Sequence, residues 1–143
     1  MARLLVIDAA TPIRALTRRT LAMDGHEVVD VGTAEDVFKA LLNDRTFDLI
    51  LLDVDLADRD GYDMLEDIRR LPAGATTPVI VLTSDLSVEA LEIEERLDVI
   101  ARVVKPFGFG DLKLAVNSVV EPAAQEASLR RTVSLEDDSK VAM

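Results

Sequence analysis

The sequence predicts a doubly wound α/β domain, with five parallel strands in the order 2-1-3-4-5 and five helices on the two faces. Three observations predict it. Short apolar runs and helix-period segments alternate regularly between residues 3 and 120, and such alternation gives a parallel sheet covered on both sides. Right-handed crossovers leave few topologies for five strands, and the flavodoxin-like order is the natural one. One run, FDLILLD, is more apolar than the rest, which marks a central strand.

The elements follow in order. RLLVI is a buried strand that ends at Asp8. Thr11 before Pro12 reads as a helix cap with proline at the first helical position. Ile13, Leu16, Thr17 and Leu21 then share one face of the first helix. HEVVDV is the second strand, entered through a turn that would leave His26 at the surface. Thr33 caps the second helix, with Glu35 and Asp36 in the first turn, where acids suit the dipole. Val37, Ala40 and Leu41 supply its inner face. FDLILLD is the third strand. After Asp60 and Gly61, the residues Met64, Leu65, Ile68 and Leu71 form the stripe of a third helix, which Pro72 and Gly74 end. PVIVLT is the fourth strand, and Ser87 caps a helix with Ala90, Ile93 and Leu97 on one face. ARVV is the fifth strand. After KPF, a last helix turns Leu112, Val116 and Val119 inward. Residues 1–120 form the domain, and 121–143 read as a tail in which 123–131 could make a short helix.

Composition narrows the function. At 143 residues and 49% hydrophobic, the chain is one domain with a substantial core. A formal net charge of −11 opposes binding to a phosphate backbone, so no direct nucleic-acid contact is expected. Without cysteine there is neither a disulfide nor a thiolate metal site, and one histidine excludes His-rich metal centres and most His-dependent nucleophilic catalysis. The opening RLLVID run is too short for a signal peptide or membrane span, so a cytoplasmic location and no membrane partner are expected.

Ligands in open parallel sheets sit beyond the carboxyl ends of the strands, where strand order reverses. The residues at those ends are Asp8, Asp53, Thr83 and Lys105. With strands one and three adjacent, the two carboxylates lie side by side. Two carboxylates with a hydroxyl and an ammonium suit phosphoryl chemistry: oxygen ligands for a hard cation, plus donors for the transferred oxygens. An Asp in that setting can be the nucleophile and form an acyl phosphate.

The motifs LLVID, LILLDVDLADRDGYDML, PVIVLTS and VVKPF, in that order, resemble the receiver domain of two-component response regulators over roughly residues 3 to 120. The resemblance implies that Asp53 accepts a phosphoryl group from the phosphohistidine of a histidine kinase or phosphotransfer protein. It implies that the Thr83 hydroxyl follows phosphorylation, that Lys105 pairs with the phosphoryl oxygens and that Lys105-Pro106 is a cis peptide. It implies a Mg²⁺ ion held by Asp8, Asp53 and the backbone carbonyl of Asp55. The downstream protein target would dock on the face of the fourth helix, fifth strand and fifth helix, with the chain a monomer or homodimer. No output domain is evident, so the chain reads as a stand-alone receiver.

The chain departs from that pattern in four ways. Receivers carry two or three acids after the first strand, where this chain has Asp8-Ala9-Ala10. Ala9 replaces the acid that usually touches the cation directly. Mg²⁺ is often held by only one or two carboxylates, so the site survives, but losing one of so few costs about ten- to a thousandfold in affinity. Mg²⁺ is therefore expected to bind weakly. Asp55 and Asp85 add negative charge near the rim, Ala57 stands where proline is common, and Arg102 stands where an aromatic often couples to the threonine. These departures favour a second reading, a pseudo-receiver that acts as an interaction module without phosphorylation. A third comes from LLDVDL, which matches the start of the haloacid-dehalogenase-type phosphatase motif. Those enzymes carry it on their first strand and follow their Lys with an acid pair. Here it lies on the third strand, with Asp137-Asp138 in the tail, and the chain is not read as an enzyme.

Overall fold

The computed structural model describes residues 2–43, 46–56 and 58–121; Ala57 and the tail beyond Glu121 lie outside them. The five strands are β1 (Arg3–Ile7), β2 (Glu27–Val31), β3 (Leu49–Asp53), β4 (Val79–Thr83) and β5 (Ala101–Val104). The helices are α1 (Thr11–Met23), α2 (Ala34–Leu42), α3 (Gly61–Arg70), α4 (Val88–Arg96) and α5 (Phe109–Val120), with a 3-10 turn at Pro72–Gly74. All pairings are parallel and the order is β2-β1-β3-β4-β5. The topology expected from the sequence is the one found.

Side chains alternate across each strand and divide the core in two. Leu5, Ile7, Ile50, Leu52, Val79 and Val81 pack with Val37 and Leu41 of α2 and with Met64, Leu65 and Ile68 of α3. Leu4, Val6, Leu49, Leu51, Ile80 and Leu82 pack on the other face with Leu21 of α1 and with Leu112 and Val116 of α5. β3 and β4 are buried along their whole length, as expected of apolar runs covered on both sides.

Thr33 and Ser87 cap α2 and α4 through their hydroxyls, and Asp60 caps α3 by accepting from Tyr62 and Asp63 N–H. Gly61 is required by close approach: a Cβ there would lie 2.2 Å from Val54 Cα. That contact draws the start of α3 against the end of β3.

The first helix differs from its expected form. It begins with Ala10 at the cap position, so Thr11 caps nothing, and its inner residues are Thr17 and Leu21. Ile13 and Leu16 are nearly half exposed. Arg14 accounts for the rotation. Its Nη1 donates to the Asp8 carbonyl at 2.7 Å and its Nε to Asp30 at 3.0 Å, which turns the 14-17-21 face toward the sheet. His26 is also buried rather than exposed. Its Nδ1 accepts from Ala2 N–H and its Nε2 faces Asn117 Oδ1, both at 3.1 Å, so the ring joins the start of β1 to α5.

Arg69 of α3 ties three segments together. Its guanidinium donates to the carbonyls of Leu97 (2.9 Å), Gly74 (2.9 Å), Thr77 (2.6 Å) and Asp98 (3.2 Å). Burial pulls its pKa below the ordinary arginine value, against the opposing charge of Asp98.

Candidate functional site

The sheet fixes the four residues that the sequence placed at strand ends. Asp8 N–H donates to Val31 O at 3.1 Å and Lys105 N–H to Thr83 O at 2.8 Å, so the ladder continues one residue past β1 and β5. Asp53 and Thr83 are the last residues of β3 and β4. Asp8, Asp53 and Thr83 are buried, and Lys105 is partly so.

Lys105 Nζ lies 2.7 Å from both carboxylate oxygens of Asp53 and 3.3 Å from Asp55 Oδ2. Asp53 Oδ1 also accepts from Asp55 N–H at 2.9 Å, while Oδ2 takes only the ammonium among the hydrogen bonds of the described residues. Burial works against the Lys105 charge, but the Asp53 and Asp55 carboxylates outweigh it and hold its pKa above the ordinary lysine value. Asp8 and Lys105 line one cavity with Asp53, of about 370 Å³, walled by Ile13, Leu82, Pro106, Phe107 and Phe109. Lys105-Pro106 is cis.

Thr83 ends the strand beside Asp53, and its Oγ1 accepts from Asp85 N–H at 2.9 Å. The Asp85 carboxylate is turned to Ser87, whose N–H it accepts at 2.9 Å and which pulls its pKa down. Its charge therefore serves the start of α4.

Asp8 is under electrostatic stress. Burial raises its pKa, the Ala10 N–H bond to Oδ1 (2.8 Å) opposes that rise, and the neighbouring Asp53 charge adds to it. The sign has a consequence. A carboxyl raised in the folded state favours the protonated fold, so the penalty is absent below the unfolded value of 3.8 and complete at neutral pH. Asp8→Asn keeps the acceptor for Ala10 and removes the charge. It is expected to raise Tm at pH 7 by a few degrees, a gain that disappears as the pH falls toward the unfolded carboxyl value. Thermal denaturation of both proteins across pH checks this.

The donor set fits a hard cation sparingly. Two carboxylates, Asp8 and Asp53, and the Asp55 carbonyl would leave half of an octahedral Mg²⁺ shell to water. Ala9 adds no oxygen from its side chain. Among the described residues no three acidic or histidine side chains converge on one point. No described helix is long and apolar enough to cross a membrane.

One residue escaped the sequence reading. Glu94 is 6% exposed and shares the inner face of α4 with Ala90 and Leu97. The signal was present, a carboxylate spaced four from one buried residue and three from another.

The profile of the response regulator receiver domain matches residues 4–117. The sensory/regulatory protein RpfC of Xanthomonas campestris pv. campestris is 30% identical over 130 residues, covering 85% of this chain. The match spans only 18% of RpfC's own length. Among solved structures, the chemotaxis protein CheY4 of Vibrio cholerae superposes with a TM-score of 0.76 at 26% identity, covering 83% of this chain and 98% of that one. The receiver domain of the sensor histidine kinase PA1611 of Pseudomonas aeruginosa, described with a magnesium ion coordinated in its active site cleft, shares the fold with a TM-score of 0.72 at 21% identity, covering 83% and 97%. Profile, relatives and fold agree over the same stretch, and the chain belongs to the response regulator receiver family of two-component signalling.

Proposed function

We propose that Asp53 accepts a phosphoryl group from a phosphohistidine of a histidine kinase or phosphotransfer protein, and that the domain signals by protein contacts. The observation that carries this reading is Lys105 Nζ seated on both oxygens of Asp53 in one cavity with Asp8. Oδ2 is the nucleophilic atom, since Oδ1 is also held by Asp55 N–H. It attacks phosphorus, the bond from phosphorus to the donor nitrogen breaks, and the nitrogen keeps the electron pair. Lys105 then passes from the carboxylate to the phosphoryl oxygens, and the Thr83 hydroxyl supplies a second donor. Asp8, Asp53 and the Asp55 carbonyl would hold Mg²⁺, which supplies charge neutralisation when bound. The apolar groove between β5 and α5, about 620 Å³ and lined by Val104, Phe107 and Leu114 among others, belongs to the face proposed for the downstream target.

A second reading has its own support. The ammonium already neutralises Asp53, and Ala9 leaves Asp8 as the lone acid of its loop. The domain would then act as a pseudo-receiver, an interaction module needing no phosphoryl group. A small phosphodonor offered across a Mg²⁺ series separates the two, with intact mass as the readout. The first reading expects a base-labile adduct that grows with Mg²⁺. No adduct at any Mg²⁺ level, beside a competent receiver that reacts, leaves the second. Ala9→Asp is expected to tighten Mg²⁺ by about tenfold or more, as calorimetry would show; unchanged affinity would move the cation site elsewhere.

A further inference from the structure

The contact between α3, α4 and β5 contains a polar cluster built on one buried carboxylate, with Tyr62 and Arg102 half-buried around it. The Glu94 carboxylate on α4 accepts from three donors. Tyr62 Oη of α3 approaches Oε2 at 2.6 Å, and Arg102 of β5 grips the carboxylate as a fork, Nε to Oε1 at 2.8 Å and Nη2 to Oε2. A carboxylate this deep is tolerable only with such partners. Burial, then the Glu94 carboxylate, push the Tyr62 phenol up to about 12, with the Thr83 hydroxyl pulling the other way, so Tyr62 stays a donor and the cluster's near end adjoins Thr83. The far end of α4 is anchored separately, by Arg69 on the Leu97 and Asp98 carbonyls.

We propose that Tyr62, Glu94 and Arg102 form a latch that holds α4 on β5, so that the α4–β5 face is presented in one arrangement whether or not Asp53 carries a phosphoryl group. The phosphoryl half rests on the function proposed above, and the latch itself does not. Magnitudes support it. A slide of α4 that parts Glu94 from Arg102 while the carboxylate stays under the helix leaves a buried charge unpaired, which shifts an equilibrium by about a hundred- to several-thousandfold. Coupling between two sites of one protein is about 5- to 150-fold. A signal of that size leaves the latch closed. Arg102 has no free swing either, because the fork commits two of its N–H groups.

Native-state hydrogen exchange on the full chain tests the latch without any phosphoryl analogue. In Glu94→Gln, α4 amides are expected to lose about tenfold or more of their protection while α1 and α5 keep theirs. Tyr62→Phe, which leaves the ion pair intact, is expected to show a smaller loss in the same helix. Unchanged protection in α4, or an equal loss in every element, overturns the latch. The second measurement adds beryllofluoride with Mg²⁺ and follows amide shifts by NMR. In the parent protein, shifts are expected near Asp8, Asp53 and Lys105 and not along α4 and β5. In Tyr62→Phe/Glu94→Met/Arg102→Met, where an apolar set replaces the ions at little cost in folding, they are expected to spread into both. Parent α4 and β5 amides moving as far as those around Asp53 overturn the proposal. If beryllofluoride shifts nothing near Asp53 in the parent or in Ala9→Asp, the phosphoryl reading falls instead, and the exchange result decides the latch.

Discussion

Asp53→Ala is expected to abolish acyl-phosphate formation completely, with no adduct by intact mass under conditions where the parent reacts. The argument is geometric. Among the described residues, Asp53 alone presents a carboxylate within hydrogen-bonding distance of Lys105 Nζ through both oxygens. Asp55 reaches the ammonium through one oxygen, at 3.3 Å, from an exposed position where a transferred phosphoryl group would lie open to water. Asp8 is tied to Ala10 N–H and stressed by burial. The fold should persist, since Asp53 is the last residue of β3 and its neighbours Leu51 and Leu52 carry the packing. Circular dichroism beside the mass measurement keeps the two effects apart. Measurable labelling in this variant would place the acceptor elsewhere.

Arg69→Met is expected to be the most destabilising exchange outside the core, by about 3 kcal/mol or more. Methionine preserves much of the apolar stem but leaves the carbonyls of Leu97, Gly74, Thr77 and Asp98 without the donor they share. Charge-assisted bonds contribute about 1.5–3 kcal/mol each in favourable cases, and four acceptors served by one half-buried group do not all regain water. A fall in Tm of roughly ten degrees or more by calorimetry is the corresponding readout. Arg69→Lys should recover only part of it, because one ammonium cannot reproduce the spread of a guanidinium. A Met variant as stable as the parent would mean that water replaces the arginine at all four carbonyls.

Local chemistry made most of the fold legible. β3 and β4 are apolar up to their last residues, Asp53 and Thr83, and buried throughout, and a strand with two covered faces has no other place than the middle. Thr33, Asp60 and Ser87 announce their helices through hydroxyls and a carboxylate that accept within three residues. The strand-end residues were legible for the same reason, since topology alone brings Asp8 and Asp53 together. What stayed hidden depends on partners far along the chain. His26 is buried because Asn117, ninety-one residues later, meets its ring. Ile13 and Leu16 look like a core stripe, but Arg14 answers to Asp8 and Asp30 and turns them outward. Glu94 reads as solvent-facing until Arg102 and Tyr62 are placed on it. Asp85 seemed to crowd the site with charge, and Ser87 draws it aside.

The imidazole stitch between Ala2 and Asn117 has a consequence for architecture on a larger scale. It brings the point where the polypeptide enters this module beside the point where it leaves. A unit with neighbouring entry and exit can be spliced into a loop of a host protein, or circularly rearranged by a short joint, without prying its layers apart.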